Sequence, residues 1–127
     1  MTEPDERASV RYLVTDVEGA IAFYTTHLGF TLNTSAAPAF ADVVRGPLRL
    51  LLSGPASSGA RATPAGAAVP GRNRIHLVVD DLDGEIVRLR SAGLAFRSDL
   101  VAGPGGRQML VADPDENLVE LFQPADT

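Results

Sequence analysis

In the stretch RIHLVV, Arg74, His76 and Val78 alternate with Ile75, Leu77 and Val79. On a strand, residues two apart project from the same face, so a guanidinium and an imidazole stand side by side there. Histidine titrates near neutrality, as a general base requires, and a guanidinium can hold a ligand carboxylate or oxygen. The plainer readings are a hydrogen-bonded pocket residue for His76 and one half of an ion pair for Arg74. The other histidine, His27, falls in the last turn of an expected helix, where it complements the helix dipole. Covalent chemistry has little material, because the chain has two histidines, no cysteine and no Ser-His-Asp signature. GPGGR at 103–107 lacks the Lys-Ser or Lys-Thr of a phosphate loop and reads as a hairpin turn or rim loop. DPDE at 113–116 reads as a type I turn.

Composition narrows the classes of function. The 127 residues, 45% hydrophobic and 21% charged, suit a single domain over 1–127. A net charge of −5 argues against nucleic acid and anionic membranes as partners, and it would tolerate or attract a cationic small molecule. No apolar run approaches the roughly 20 residues that span a bilayer, and MTEPDERAS is unlike a secretory signal, so a cytoplasmic location is expected. Without cysteine, any metal would depend on His, Asp and Glu.

The elements that must position these residues occur twice. VTDVEGAIAFYTTHLGF at 14–30 and VVDDLDGEIVRLRSAGLAF at 78–96 align without gaps, Asp16 on Asp81, Gly19 on Gly84 and Ile21 on Ile86. Each copy starts with an alternating strand, SVRYLV at 9–14 or RIHLVV at 74–79, and then changes to helical spacing. Asp16 and Asp81 are expected N-caps, and Gly29 and Gly93 left-handed C-caps. Three strand candidates follow each helix: FTLNT, FADVVR and LRLLLS in the first copy, AFRSDL, RQMLVA and NLVELFQ in the second. Each half therefore reads βαβββ, over 9–55 and 71–124. Between them, 56–70 is rich in Gly, Pro, Ala and Ser and reads as a mobile linker, with a flap over a site as the alternative.

The strand ending in Val-x-Asp, the helix AIAFYTTHLGF and the closing DPDENLVELFQP together resemble the vicinal oxygen chelate superfamily of glyoxalases, extradiol dioxygenases, fosfomycin-modifying enzymes and bleomycin-resistance proteins. The resemblance implies an α+β fold of two tandem βαβββ modules whose curved mixed sheets form a cup around the ligand, with the helices outside. Alternation then puts Ser9, Arg11 and Leu13, and Arg74, His76 and Val78, on the cup face, with Val10, Tyr12, Val14, Ile75, Leu77 and Val79 beneath the helices. In the superfamily's enzymes, first and last strands of each module supply metal ligands. The matching positions here are Ser9, Arg74, Glu120 and one of Arg49, Leu50 or Leu51, depending on a register left open. Serine is a poor ligand and a guanidinium has no lone pair to donate, so no metal and no cofactor is expected. An Arg74–Glu120 ion pair is expected where the metal would lie. Glu116 stands where the superfamily usually has glycine.

The leading functional expectation is a metal-independent binding protein, similar to bleomycin-resistance proteins, that sequesters an aromatic or cationic compound. Arg11, Leu13, Arg74, His76, Val78, Glu120 and Leu50 or Leu51 would line its cup, with no catalytic residue assigned. The alternatives are an enzyme of the superfamily with a non-standard or absent metal site, using His76 or Glu120 as acid or base, and a module serving only in assembly. A homodimer is implied by the resemblance alone.

Overall fold

The computed structural model describes residues 7–64 and 69–126, and the chain divides into two compact units, Met1–Pro70 and Gly71–Thr127. The first runs β1 (Ala8–Leu13), α1 (Val17–His27), β2 (Thr31–Ala36), β3 (Phe40–Arg45), β4 (Leu48–Ser53) and α2 (Ser58–Ala62). The second runs β5 (Arg74–Val78), α3 (Leu82–Ser91), β6 (Val101–Gly103), β7 (Gly106–Ala112) and β8 (Leu118–Pro124). Their sheets have the same plan, β1-β4-β3-β2 and β5-β8-β7-β6, with the first strand parallel to the last and the other pairs antiparallel. These are two βαβββ modules in an α+β fold.

Strand alternation sorts the side chains. Tyr12 and Val14, Ala41 and Val43, and Leu50 and Leu52 are buried, as are Ile75 and Leu77, Met109 and Val111, and Val119 and Leu121. Helix α1 adds Val17, Ala20, Phe23 and Tyr24; α3 adds Leu82, Ile86 and Leu89. Burying a large aliphatic or aromatic side chain stabilises a fold by about 1.5–3 kcal/mol, so this face determines the sheet's register. The first module's core is aromatic: the Tyr24 ring meets those of Tyr12, Phe23 and Phe30 edge-on at 6.3, 5.1 and 5.3 Å. The second module's buried set is aliphatic with one methionine.

The helix ends follow the sequence with one difference. Gly29 and Gly93 take φ of +74° and +87°, and the Phe30 and Leu94 amides turn back to Tyr24 and Leu89 carbonyls, closing each helix. Asp81 accepts the Gly84 amide at 3.1 Å, whereas Asp16 occupies the N-cap position without a side-chain cap bond.

One local expectation is corrected. AFRSDL does not form a strand. Phe96 makes an isolated bridge to Val111, and the Ser98 hydroxyl then accepts the Leu110 amide at 2.9 Å. That side-chain bond takes the place of a backbone rung, and pairing resumes only over the three residues of β6. The segment read as a linker, with a flap as the alternative, carries α2, begun by Ser57, whose hydroxyl accepts the Ala60 amide and donates to the Gly54 carbonyl at 2.7 Å. The part of that segment at 65–68 lies outside the described residues.

The turns before the last strands differ. Gly46-Pro47 joins β3 to β4, with Gly46 at φ +56°. In the second module Asp113 and Asn117, 3% and 0% exposed, form a buried network. Asp113 Oδ1 accepts the Asp115 and Asn117 amides, Oδ2 accepts Asn117 Nδ2, and Asn117 Oδ1 accepts the Asn73 amide. The Glu116 amide donates to the Asp113 carbonyl at 2.9 Å, the i→i+3 bond of the expected β-turn. Glu116 itself sits at φ +69°, the left-handed region that explains a usual glycine at this position.

Candidate functional site

The sheet face opposite each core carries the polar side chains. On β5, Arg74, His76 and Val78 are exposed while Ile75 and Leu77 are buried. Register pairs His76 with Glu120 across β5–β8. The expected ion pair is present: Arg74 Nη2 and Nε donate to Glu120 Oε1 at 2.8 and 3.2 Å. His76 Nε2 lies 3.5 Å from the other oxygen, Oε2, and its ring tilts against Phe122 at 5.0 Å. Both oxygens of Glu120 therefore face nitrogen groups.

The same geometry settles the register of β4. Arg11 pairs with Leu51 as His76 pairs with Glu120, so Leu51 is the first module's counterpart of Glu120. Leu50 is fully buried in the core, which removes it from the candidate lining. Ser9 and Arg11 are exposed on the open face of β1, and Leu13 is half-buried.

The open face of the first module has a carboxylate that sequence reasoning missed. Asp42 on β3 lies directly across from Leu51 and is only 3% exposed. It accepts a hydrogen bond from Asn33 Nδ2 at 2.8 Å, and Arg49 Nε stands 3.7 Å from the same oxygen. The signal was available: alternation in FADVVR puts Phe40, Asp42 and Val44 opposite Ala41 and Val43.

Two clefts of the first module border α2. One, of about 330 Å³, is mostly apolar and lined by Leu13, Val14, Thr15, Ser53, Pro55, Ala60 and Pro70. The other, about 410 Å³, is bounded by Arg11, Phe40, Ser57 and Gly59. Arg11 Nη1 donates to the buried Ser53 hydroxyl at 2.8 Å. Leu13 and Arg11, singled out by alternation, thus line described cavities, whereas Arg74, His76 and Glu120 form a charged cluster on the open face of the second sheet.

The residues do not fit a metal. Of the four positions that correspond to ligands in the superfamily's enzymes, Ser9, Leu51 and Arg74 offer no suitable donor, and Glu120 is engaged by Arg74 and His76. Among the described residues no three His, Cys, Asp or Glu gather into a potential ligand set. Nor does any described helix have the length and apolarity to cross a membrane.

No curated protein gives a match to the sequence. Solved structures do. TnmS3, an antibiotic binding protein from Streptomyces sp. CB03234, is 28% identical, with 94% of this chain and 95% of that one covered at a TM-score of 0.75. A superfamily member from Sphaerobacter thermophilus DSM 20745 is 26% identical over 92% and 95% of the two chains, with a TM-score of 0.73. A lactoylglutathione lyase from Agrobacterium tumefaciens shares the fold at 20% identity over 95% of each chain, with a TM-score of 0.74. The superfamily model matches residues 8–121, spanning both βαβββ modules, and the chain belongs to the Glyoxalase/Bleomycin resistance protein/Dioxygenase superfamily.

Proposed function

We propose that the protein is a metal-independent small-molecule binder that sequesters an aromatic compound without converting it. The observation that carries this reading is the state of the metal positions: Leu51 replaces one carboxylate, and Arg74 and His76 occupy the other, Glu120. The similarity to TnmS3 supports binding as the role. The proposed binding residues are Leu13 and Arg11 on the first module and Val78, Arg74, His76 and Glu120 on the second, with apolar burial supplying most of the affinity and the polar groups giving orientation. The net charge of −5 favours a cationic compound at long range. Locally that preference is weak, because Asp42 and Glu120 already face arginines.

An enzymatic second reading draws on His76 Nε2 beside Glu120, an arrangement that can exchange a proton. One experiment separates the two. A neutral aromatic probe, 2-naphthamide, is incubated with protein, with and without EDTA, and followed by mass spectrometry and melting temperature. Sequestration predicts a raised melting temperature, recovery of unchanged probe and no effect of EDTA. Time-dependent product that disappears in His76→Ala or Glu120→Ala would refute it. The protein is further proposed to act as a C2 homodimer, and a monomer mass by light scattering at micromolar concentration would refute that part.

A further inference from the structure

Arg11 differs from the arginines that form ion pairs. Arg49, Arg74, Arg88, Arg97 and Arg107 each face a carboxylate. Arg11 donates instead to a neutral hydroxyl, Ser53 Oγ, and meets no carboxylate among the described residues. A Cβ at Gly59 would overlap Nη1 and come within 2.8 Å of Cζ, so the guanidinium packs directly on the α2 backbone, and a side chain at residue 59 would displace it. The same nitrogen, Nη1, donates to Ser53, which is 0% exposed.

This cation opens into the cleft of about 410 Å³ whose lining includes Phe40, Ala39, Ala56 and Ser58 and no acidic residue. A guanidinium presents five donors in a planar fork, and the Ser53 bond uses only one nitrogen. The chemistry that complements such a fork beside an aromatic ring is a planar carboxylate on an aromatic body, the acid on Arg11 and the ring against Phe40.

We infer that the α2 cleft is an anion subsite, and that the compound taken by the protein carries a carboxylate read by Arg11 and an aromatic body against Phe40. The inference rests on the binding function proposed above and names its ligand class. Gly59 acts as a positioning residue by admitting the guanidinium to the helix backbone.

The test uses 2-naphthoate, its neutral isostere 2-naphthamide and the cation naphthalen-2-ylmethylamine, titrated calorimetrically into the full chain at low ionic strength. The acid should bind about 10-fold or more tighter than the amide, as expected of a charge-assisted bidentate contact, with the amine weakest. In Arg11→Gln the preference should fall to about 1–2-fold while amide binding persists. Gly59→Ala retains the charge but fills its resting place, and should also reduce the preference; it carries the test if Arg11→Gln does not fold. Equal binding of acid and amide, or an acid preference unchanged in either folded variant, would overturn the subsite and leave sequestration standing. Conversion of 2-naphthoate to product would instead refute sequestration without touching the Arg11 preference.

Discussion

The two modules place the same kinds of residue on their open faces but one strand apart. In the first, Asp42 on β3 faces Leu51 on β4; in the second, Leu110 on β7 faces Glu120 on β8. Carboxylate and leucine have exchanged places within equivalent cross-strand pairs. The arginines have moved as well: Ser9 pairs with Arg49 in one module, Arg74 with Leu118 in the other. The ion pair therefore ties β3 to β4 in the first module and β5 to β8 in the second. The buried face shows no such exchange, with apolar side chains at Leu50 and Leu52 as at Val119 and Leu121. A buried face is constrained by packing, where losing a few methylenes costs several kcal/mol; an open face only has to keep its charges paired.

Four measurements would break or sharpen that comparison. The largest effect is expected at the register itself. Leu50→Ala should cost about 3 kcal/mol in urea denaturation, and Leu51→Ala, on the open face, under about 1 kcal/mol. Equal costs would mean that β4 is read in the wrong register. Next, Asp113→Ala removes the acceptor of two backbone amides in the second module's turn and should cost about 2 kcal/mol. The first module, closed by Gly46-Pro47, has no side chain in that role, and a cost below about 0.5 kcal/mol would show the network to be dispensable.

The exchanged carboxylates should differ in weight. The Asp42 and Arg49 side chains are 4% and 29% exposed, those of Glu120 and Arg74 14% and 46%. Asp42→Asn should therefore destabilise by about 1–2 kcal/mol and Glu120→Gln by less than about 1 kcal/mol. The reverse order would show the second cluster to be the structural one.

The smallest effect concerns Glu116, with Oε2 and Oε1 3.0 and 2.8 Å from Arg97 nitrogens. The hydrogen bond from Arg97 holds its carboxyl below the ordinary 4.5. A folded-state pKa below the unfolded one gives stability that is present above the ordinary value and is lost as pH falls through the lower one. Wild type should thus melt above Glu116→Gln at neutral pH, the gap closing in acid; a gap that widens on acidification would contradict the assignment. Arg97 is raised by the same hydrogen bond and stays charged throughout.

The fold was legible because it is written in the core periodicity, twice. Strand alternation placed Tyr12, Val14, Ile75 and Leu77 inside, and the glycines at 29 and 93 marked both helix ends. The open-face residues of β1 and β5 followed from the same rule. What could not be read depends on long-range pairing. Leu51 is identified only by its partner Arg11, and Asp42 matters because it meets Arg49 and Asn33. AFRSDL has strand composition, yet a single hydroxyl, Ser98, diverts it. Helix α2 was hidden in a low-complexity segment whose only mark is the capping Ser57.

The aromatic core of the first module also makes the molecule optically lopsided. The chain has no tryptophan, and both of its tyrosines, Tyr12 and Tyr24, are fully buried in that core. Tyrosine emission excited near 280 nm is thus a built-in beacon for one half of the duplication, while far-ultraviolet circular dichroism reports both halves. Followed together through a denaturant titration, the two signals reveal whether the twin modules melt as one cooperative body or in sequence, without a label or an added residue.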